Sequence, residues 1–501
     1  MGESIKTFLE FLNAIVWGAN SHPWMQGALG EFFLKFPPVL MLLLGTGLFL
    51  MLRLGFMPLR RMPYAFGQLF KKRNDTGEEG DVSPFGALMT ALSSTIGTGN
   101  IVGVAVAIAI GGPGAIFWMW MTALVGMASK FAEGVLAVKF REVDAEGRHV
   151  GGPMYYIKAG MGSKWAWLGG VFALFGILAS WGTGASIQAN SIADAINENY
   201  DLAPWKTGVI LAIGAAAVIL GGIKRIANVA SKLVPAMAIS YLAAGLIVIA
   251  MNVDAVPAAF GSIFSNAFGF DAAKGGFVGG LLLLAMQKGV ARGIFSNEAG
   301  QGSAPIAHAA AKNNDPVNQG VIAMLGTFID TIVVCSITAL VILTAKIIPE
   351  SCEPFVRESL LSLPKGCETG AALTIEAFNQ SLPGVGNHIV AVCLAIFGFT
   401  TILGWSYYGE RCAEYLFGEK IVFPFKISWI FFVLFGASVL EYEVGGLLYS
   451  GGENAITDVV SLFWALADAL TGLMAAPNLI ALIALSPLVA RMAKEYFAVR
   501  R

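Results

Sequence analysis

The chain reads as a succession of apolar stretches, each long enough to cross a hydrocarbon core of about 30 Å, parted by short polar connections. They fall at 37–55, 86–110, 114–139, 166–196, 205–222, 232–252, 277–304, 319–347, 388–408, 425–441 and 458–490, which predicts eleven membrane-spanning helices. Ahead of the first, Ile5 to Trp17 carries the pattern of an amphipathic helix lying at the interface. Pro477 and Asn478 divide the last stretch, so one span competes there with an interfacial helix followed by a shorter span. The first thirty residues lack a basic start, an apolar run and a small-residue cleavage site, so the first span itself is expected to act as the insertion signal.

Two stretches are interrupted where lipid demands an unbroken helix. The first interruption is Ser93-Ser94-Thr95-Ile96-Gly97-Thr98-Gly99-Asn100, and the second is expected across Gly289 to Asn297. In hydrocarbon an unpaired backbone group costs several kcal/mol, so irregular backbone survives only where it lines a cavity or coordinates something. With the first span set aside, the interrupted helices open two groups of five, 86–252 and 277–490, behind an N-terminal part, 1–85. An odd number of spans per group inverts the second relative to the first, which is an inverted repeat with both breaks near the midplane.

Composition agrees with this all-α integral membrane reading. The 501 residues are 56% hydrophobic and 13% charged, about half the charged share of a soluble domain. A net charge of −1 excludes nucleic acid as a natural partner, and nothing calls for an obligate protein partner. The basic residues are segregated: Arg53, Arg60, Arg61, Lys71, Lys139, Arg141, Lys224, Arg225, Arg411, Lys420 and the tail from Arg491 occupy alternate connections. The positive-inside bias then places the C-terminus in the cytoplasm and the N-terminus outside. Cys352 and Cys367 share one polar loop and could form a disulfide if it lies outside; Cys335, Cys393 and Cys412 sit in or beside spans as packing residues.

The first break, unwound, would aim carbonyls at a cation and the N–H groups of the next half-helix at an anion; a Gly/Ser packing seam is the alternative. Near the second break Lys288, Arg292, Ser296, Asn297, Glu298 and Gln301 crowd into a span, where charge is functional by default. Glu298 could bind a cation, pair with Arg292 or Lys288, or carry a proton. Thr400 and Thr401, at mid-depth of the ninth span, either bond back to their own helix or supply hard oxygen ligands to an alkali cation. Gln188 either reaches a polar substrate or bonds across helices. Lys130 and Glu133, at i and i+3, read as an ion pair, and Asp330 as a helix tether without an assigned role. There is no G-x-x-x-x-G-K-[ST] loop, no metal-ligand motif and no large soluble domain, so ATP-driven pumping and hydrolytic catalysis are excluded and a non-enzyme is expected.

Four runs resemble the sodium:alanine (glycine) symporter family of prokaryotes: Thr98-Gly99-Asn100-Ile101; Gly111-Gly112-Pro113-Gly114-Ala115-Ile116-Phe117-Trp118-Met119-Trp120; Gly151-Gly152-Pro153-Met154-Tyr155-Tyr156; and Phe295-Ser296-Asn297-Glu298-Ala299-Gly300. The resemblance covers essentially the whole chain, and the second run is its most specific part. It implies a leucine-transporter-like five-plus-five inverted repeat behind one extra helix, in a bacterial inner (plasma) membrane, importing alanine or glycine with sodium by alternating access. It further implies sodium held around Ser93, Ile96, Thr400 and Thr401, with no organic cofactor. The amino acid would lie among Thr98, Gly99, Asn100, Gln188, Phe295, Ser296, Asn297 and Trp405. The rival on the same scaffold is proton coupling through Glu298.

Overall fold

The protein is described by a computed structural model covering residues 2–18, 22–71, 78–268, 278–347, 370–438 and 455–499. Only helices and closed barrels satisfy every backbone group inside lipid, and this chain is built of helices: α1 (Gly2–Trp17), α2 (Ala28–Lys35), α3 (Pro38–Arg53), α4 (Pro84–Thr95), α5 (Val104–Gly111), α6 (Gly114–Lys139), α7 (Ala166–Ala179), α8 (Ile187–Tyr200), α9 (Pro204–Ile219), α10 (Gly222–Met251) and α11 (Val256–Ala267) in the first part, then α12 (Val278–Asn297), α13 (Ala304–Ala309), α14 (Pro316–Thr327), α15 (Ser336–Ala345), α16 (Gly370–Ser381), α17 (Gly386–Phe417), α18 (Val422–Ser438) and α19 (Ala455–Val499). Among the described residues seven helical stretches are long and apolar enough to cross a bilayer, and two bent pairs, α2–α3 at 56° and α4–α5 at 53°, bring the number to nine. Helices α9 and α12 occupy the other two of the eleven expected positions.

Local sequence sets the starts. Ser83 caps α4 by accepting from Gly86 N–H, and Asp315 caps α14 by accepting from Val317 and Asn318, each with a proline at the first helical position. Three spans widen into π-helical turns, at Gly99–Gly103, Ser180–Ser186 and Phe328–Cys335. Such turns leave backbone groups off the regular ladder and recur at functional sites. Here they place Asn100, Thr183 and Asp330 in the buried interior. Outward faces are apolar and exposed, as lipid-facing surfaces are: Ile210, Ile213, Leu246, Ile247 and Phe431 among them.

Three departures from the expected pattern have clear causes. Helix α12 runs unbroken through Gly289 and Gly293, whose α-carbons press on Trp118 and Met119 of α6; a β-carbon would come within 2.8 Å of Trp118 Cβ and 3.1 Å of Met119 Cα. Those two glycines, four apart on one face, are a packing seam, and the interruption lies one turn later. Helix α19 passes through both Pro477 and Pro487 without dividing, as prolines within membrane-spanning helices are tolerated, and the inward Asn478 bonds to Glu133 and Gly300. Helix α1 does not simply lie at a surface: Val16 is buried, Trp17 donates to Asp468 O at 3.1 Å and Asn13 to Ala465 O at 3.1 Å, while Phe8 stays exposed. Its apolar face is thus spent on α19. Cys352 and Cys367 lie outside the described residues.

Beyond α6 a two-stranded hairpin, β1 (Glu142–Val143) and β2 (His149–Val150), is fastened to the end of α17 by ions. Arg148 meets Asp144 at 2.6 Å and Glu414 at 3.3 Å; Arg411 meets Glu414 at 2.5 Å and also contacts Glu410.

Candidate functional site

In the first break α4 stops at Thr95, Ile96 turns extended, and the chain restarts in the π turn at Gly99. Asn100 holds this shape: its Oδ1 accepts from Gly97 N–H at 2.9 Å, and its amide donates to Asp330 Oδ1 at 2.7 Å and Ser296 Oγ at 3.1 Å. Ser296 donates in turn to Asp330 Oδ2 at 2.8 Å. A saturated, buried knot of Asn100, Ser296 and Asp330 therefore ties the first break to α12. Asn297 is committed as well, accepting from Ala299 N–H and donating to Thr331 Oγ1, both at 3.0 Å.

The second break spans 298–303. Glu298 (φ 53°), Gly300 (φ 82°) and Gly302 (φ 87°) adopt the left-handed region, which ends α12 and starts α13 in a new direction. Its two glycines are anchored from elsewhere in the fold. Glu133 Oε1 on α6 accepts from Gly302 N–H at 3.0 Å and from the Asn478 amide at 2.8 Å, and Asn478 also donates to Gly300 O at 2.8 Å. Tyr156 donates to Asn478 Oδ1. Glu298 is buried, with Ser303 Oγ donating to Oε2 at 2.5 Å and Trp405 Nε1 to Oε1 at 2.9 Å. The ion pairs found among the described residues include neither Lys130–Glu133 nor any pair of Glu298 with Arg292 or Lys288. Arg292 instead lies over the Phe295 ring, 5.8 Å from its centroid.

Between the breaks lies a small cavity, about 20 Å³ of free space in this conformation, which is on the scale of a water molecule. Gly97, Gly99 and Thr95 form one wall, Phe295, Glu298 and Gln301 another, and Gln188, Thr183, Trp405 and Thr471 close the remainder. Gln188 Oε1 accepts from the Thr98 hydroxyl at 3.0 Å. Trp405 packs on Gly184, where a β-carbon would lie 2.7 Å from the indole Cγ. Phe295 also meets Trp17 of α1 edge-on, centroids 6.5 Å apart.

The α17 side of the first break is equally close. A β-carbon on Gly404 would stand 2.8 Å from Ser93 Oγ and 3.0 Å from Ser94 N, and one on Gly97 would strike Thr401 Oγ1. Thr401 thus sits beside the backbone that follows Ile96. Both threonine hydroxyls donate to Phe397 O, Thr400 at 2.9 Å and Thr401 at 3.1 Å, and Thr400 also faces Met237 S at 3.5 Å. Ser93 likewise bonds back, its hydroxyl donating to Thr90 O at 2.8 Å.

Of the site residues expected from the sequence, Gly99, Gln188, Phe295, Thr401 and Trp405 line the cavity, and Thr98 reaches it through Gln188. Asn100, Ser296 and Asn297 are not in the cavity lining, and their polar side chains are hydrogen-bonded within the protein. Thr95, Thr183, Glu298, Gln301 and Thr471 line the cavity in addition. Glu298 and Gln301 belong to the polar cluster already evident in the sequence and Thr183 to the same span as Gln188, whereas Thr471 is one hydroxyl in an apolar helix and meets Thr183 only through folding, at 2.9 Å.

The family described as the sodium:alanine symporter family matches residues 22–445 and 452–501. The chain belongs to that family. Among its relatives, the sodium/alanine symporter AgcS of Methanococcus maripaludis is 47% identical over 468 residues, 93% of this chain and 95% of that protein. A protein of Bacillus subtilis described as the probable sodium/glutamine symporter GlnT is 34% identical, over 91% of this chain and 87% of its own length. Among solved structures, MhsT in complex with L-phenylalanine matches with a TM-score of 0.52 at 14% identity, covering 83% of this chain and all but 1% of that one, as its 99% coverage shows. The manganese transporter of Eremococcus coleocola matches at 0.53 and 13% identity, over 79% of this chain and 80% of that one. The symporter family member described here thus has the leucine-transporter-like five-plus-five fold behind one extra N-terminal helix, in a multi-pass membrane protein.

Proposed function

We propose that this protein imports a small neutral amino acid, alanine or glycine, together with sodium, by alternating access around its two breaks. The observation that carries the reading is the small cavity held between Gly97 and Gly99 on one side and Phe295 and Trp405 on the other. The substrate carboxylate would face the N-terminal end of the half-helix that begins at Gly99, where the dipole favours an anion. Its ammonium would face Glu298, Gln301 and Gln188. Thr95, Thr183 and Thr471 complete the wall, and the glycines and the two aromatic rings leave room for a methyl group rather than a long side chain.

Sodium is cargo in this reading. It would take the carbonyls of Ser93 and Ile96, the hydroxyls of Thr400 and Thr401, and Phe397 O, on which both hydroxyls converge. One charge moved across about 100 mV yields about 2.3 kcal/mol, and a roughly tenfold sodium gradient adds about 1.4, enough for accumulation of a few hundredfold. The basic connections put the C-terminus in the cytoplasm of a bacterial inner (plasma) membrane.

Relatives described by alanine and by glutamine make the substrate the point to test. Uptake of radiolabelled alanine into sodium-loaded-outside proteoliposomes should be blocked by excess unlabelled alanine or glycine and left unchanged by glutamine or leucine. Strong competition by glutamine would contradict the assignment to a small side chain.

A further inference from the structure

Away from the substrate cavity, where α3 ends and α19 closes the described chain, Arg53, Arg60, Arg61, Arg491 and Lys494 line one open recess of about 550 Å³. Like charges gathered this closely repel one another unless something neutralises them. The ion pairs among the described residues use none of the five. Their contacts are apolar or neutral instead: Arg61 stacks 4.9 Å over Phe497, Arg53 lies 5.6 Å from Phe49, and Arg60 donates to Gly55 O at 3.4 Å. The floor is greasy, formed by Leu54, Met57, Ala490, Ala493 and Phe497.

Both helices lead into this recess with exposed apolar stripes. On α3, Met41, Leu48 and Leu52 are 46%, 49% and 57% exposed, at helical spacing, and the stripe runs directly into Arg53. On α19, Ile480 and Ile483 are exposed and the same face continues through Pro487 to Arg491 and Lys494. Two lipid-facing tracks that end together in uncompensated positive charge match one chemistry: acyl chains lying along the helices and an anionic headgroup at their end.

We propose that this recess is a binding site for one anionic phospholipid, its phosphate held by Arg60, Arg491 and Lys494 and its chains laid against α3 and α19. The site is independent of what the protein transports. Removing three basic side chains beside such a headgroup should weaken binding at least about tenfold.

The test uses the full chain in detergent, with melting temperature followed against added phosphatidylglycerol or phosphatidylcholine, each protein compared with its own lipid-free baseline. Phosphatidylglycerol should raise the melting temperature of the unaltered protein saturably, and phosphatidylcholine should not. The triple variant Arg60→Gln, Arg491→Gln, Lys494→Gln should need roughly tenfold more phosphatidylglycerol or more. Lys494→Gln alone should fall between, which keeps the test alive if the triple variant is poorly folded. A control pair, Lys224→Gln with Arg225→Gln, removes exposed charge elsewhere and should titrate as the unaltered protein does. Equal titration by the triple variant would overturn the proposal, as would an equal shift from phosphatidylcholine. The same shift from glycerol 3-phosphate alone would assign the recess to a free anion and also overturn it.

Discussion

Gly97 and Thr401 meet so closely that neither can change without disturbing the other. A β-carbon at Gly97 has no room against Thr401 Oγ1 and would stand 3.4 Å from Gln188 Oε1. Gly97→Ala should therefore abolish alanine uptake in protein that still reaches the membrane, measured by uptake normalised to protein reconstituted. Thr401→Val keeps the shape and deletes the oxygen. If that oxygen serves a cation, the loss is worth about 1.5–3 kcal/mol, so half-saturating sodium should rise about ten- to a hundredfold. Alanine affinity at saturating sodium should change much less; equal losses in both would count against the sodium assignment. Asn100 illustrates why a residue inside a break need not touch the substrate. Its amide and carbonyl are already spent on Gly97, Ser296 and Asp330.

At the scale of elements, the second break is a bent segment held by partners it does not itself contain. Glu133 on α6 and Asn478 on α19 tie down Gly300 and Gly302. Glu133→Leu would leave the Gly302 N–H and the Asn478 amide short of an acceptor, at about 1–3 kcal/mol for each buried group. That variant should melt several degrees lower and transport poorly, whereas Glu133→Gln, which keeps an acceptor oxygen, should retain more of both. The hairpin β1–β2 makes a separate prediction for pH. Burial of Asp144 opposes its ionisation, but hydrogen bonds from the Arg148 backbone at 2.8 Å and guanidinium at 2.6 Å, with the charge of Arg411, hold the carboxyl below its ordinary value. A depressed carboxyl contributes stability above its unfolded pKa of about 3.9, lost as pH falls through the folded value. Asp144→Asn should thus melt below the unaltered protein at neutral pH, with the difference shrinking only below about pH 4; a gap that closes between about pH 6 and 8 would mean another group is responsible.

For the molecule as a whole, the order of spans was legible because lipid enforces long apolar helices, and the first break was legible because four hydroxyls, two glycines and an amide within eight residues have few other uses. The second was displaced by a turn: Lys288 and Arg292 together with Gly289 and Gly293 look like a broken helix, yet the glycines serve contact with α6. Nothing local distinguishes a packing glycine from an unwinding one; only the facing helix decides. Thr471 and Asn478 escaped the sequence for the related reason that their partners, Thr183 and Glu133, are hundreds of residues away. Helix α1, read as interfacial, joins the cavity wall through Trp17 and Phe295. What unites the breaks, the small cavity and the threonines of α17 is coupling of an amino acid to sodium. The most direct measurement is concentrative uptake of alanine into proteoliposomes under one imposed gradient at a time. An inward sodium gradient at equal pH should drive accumulation above equilibrium, and an inward proton gradient without sodium should drive none. Accumulation with protons alone would contradict sodium coupling and turn attention to Glu298.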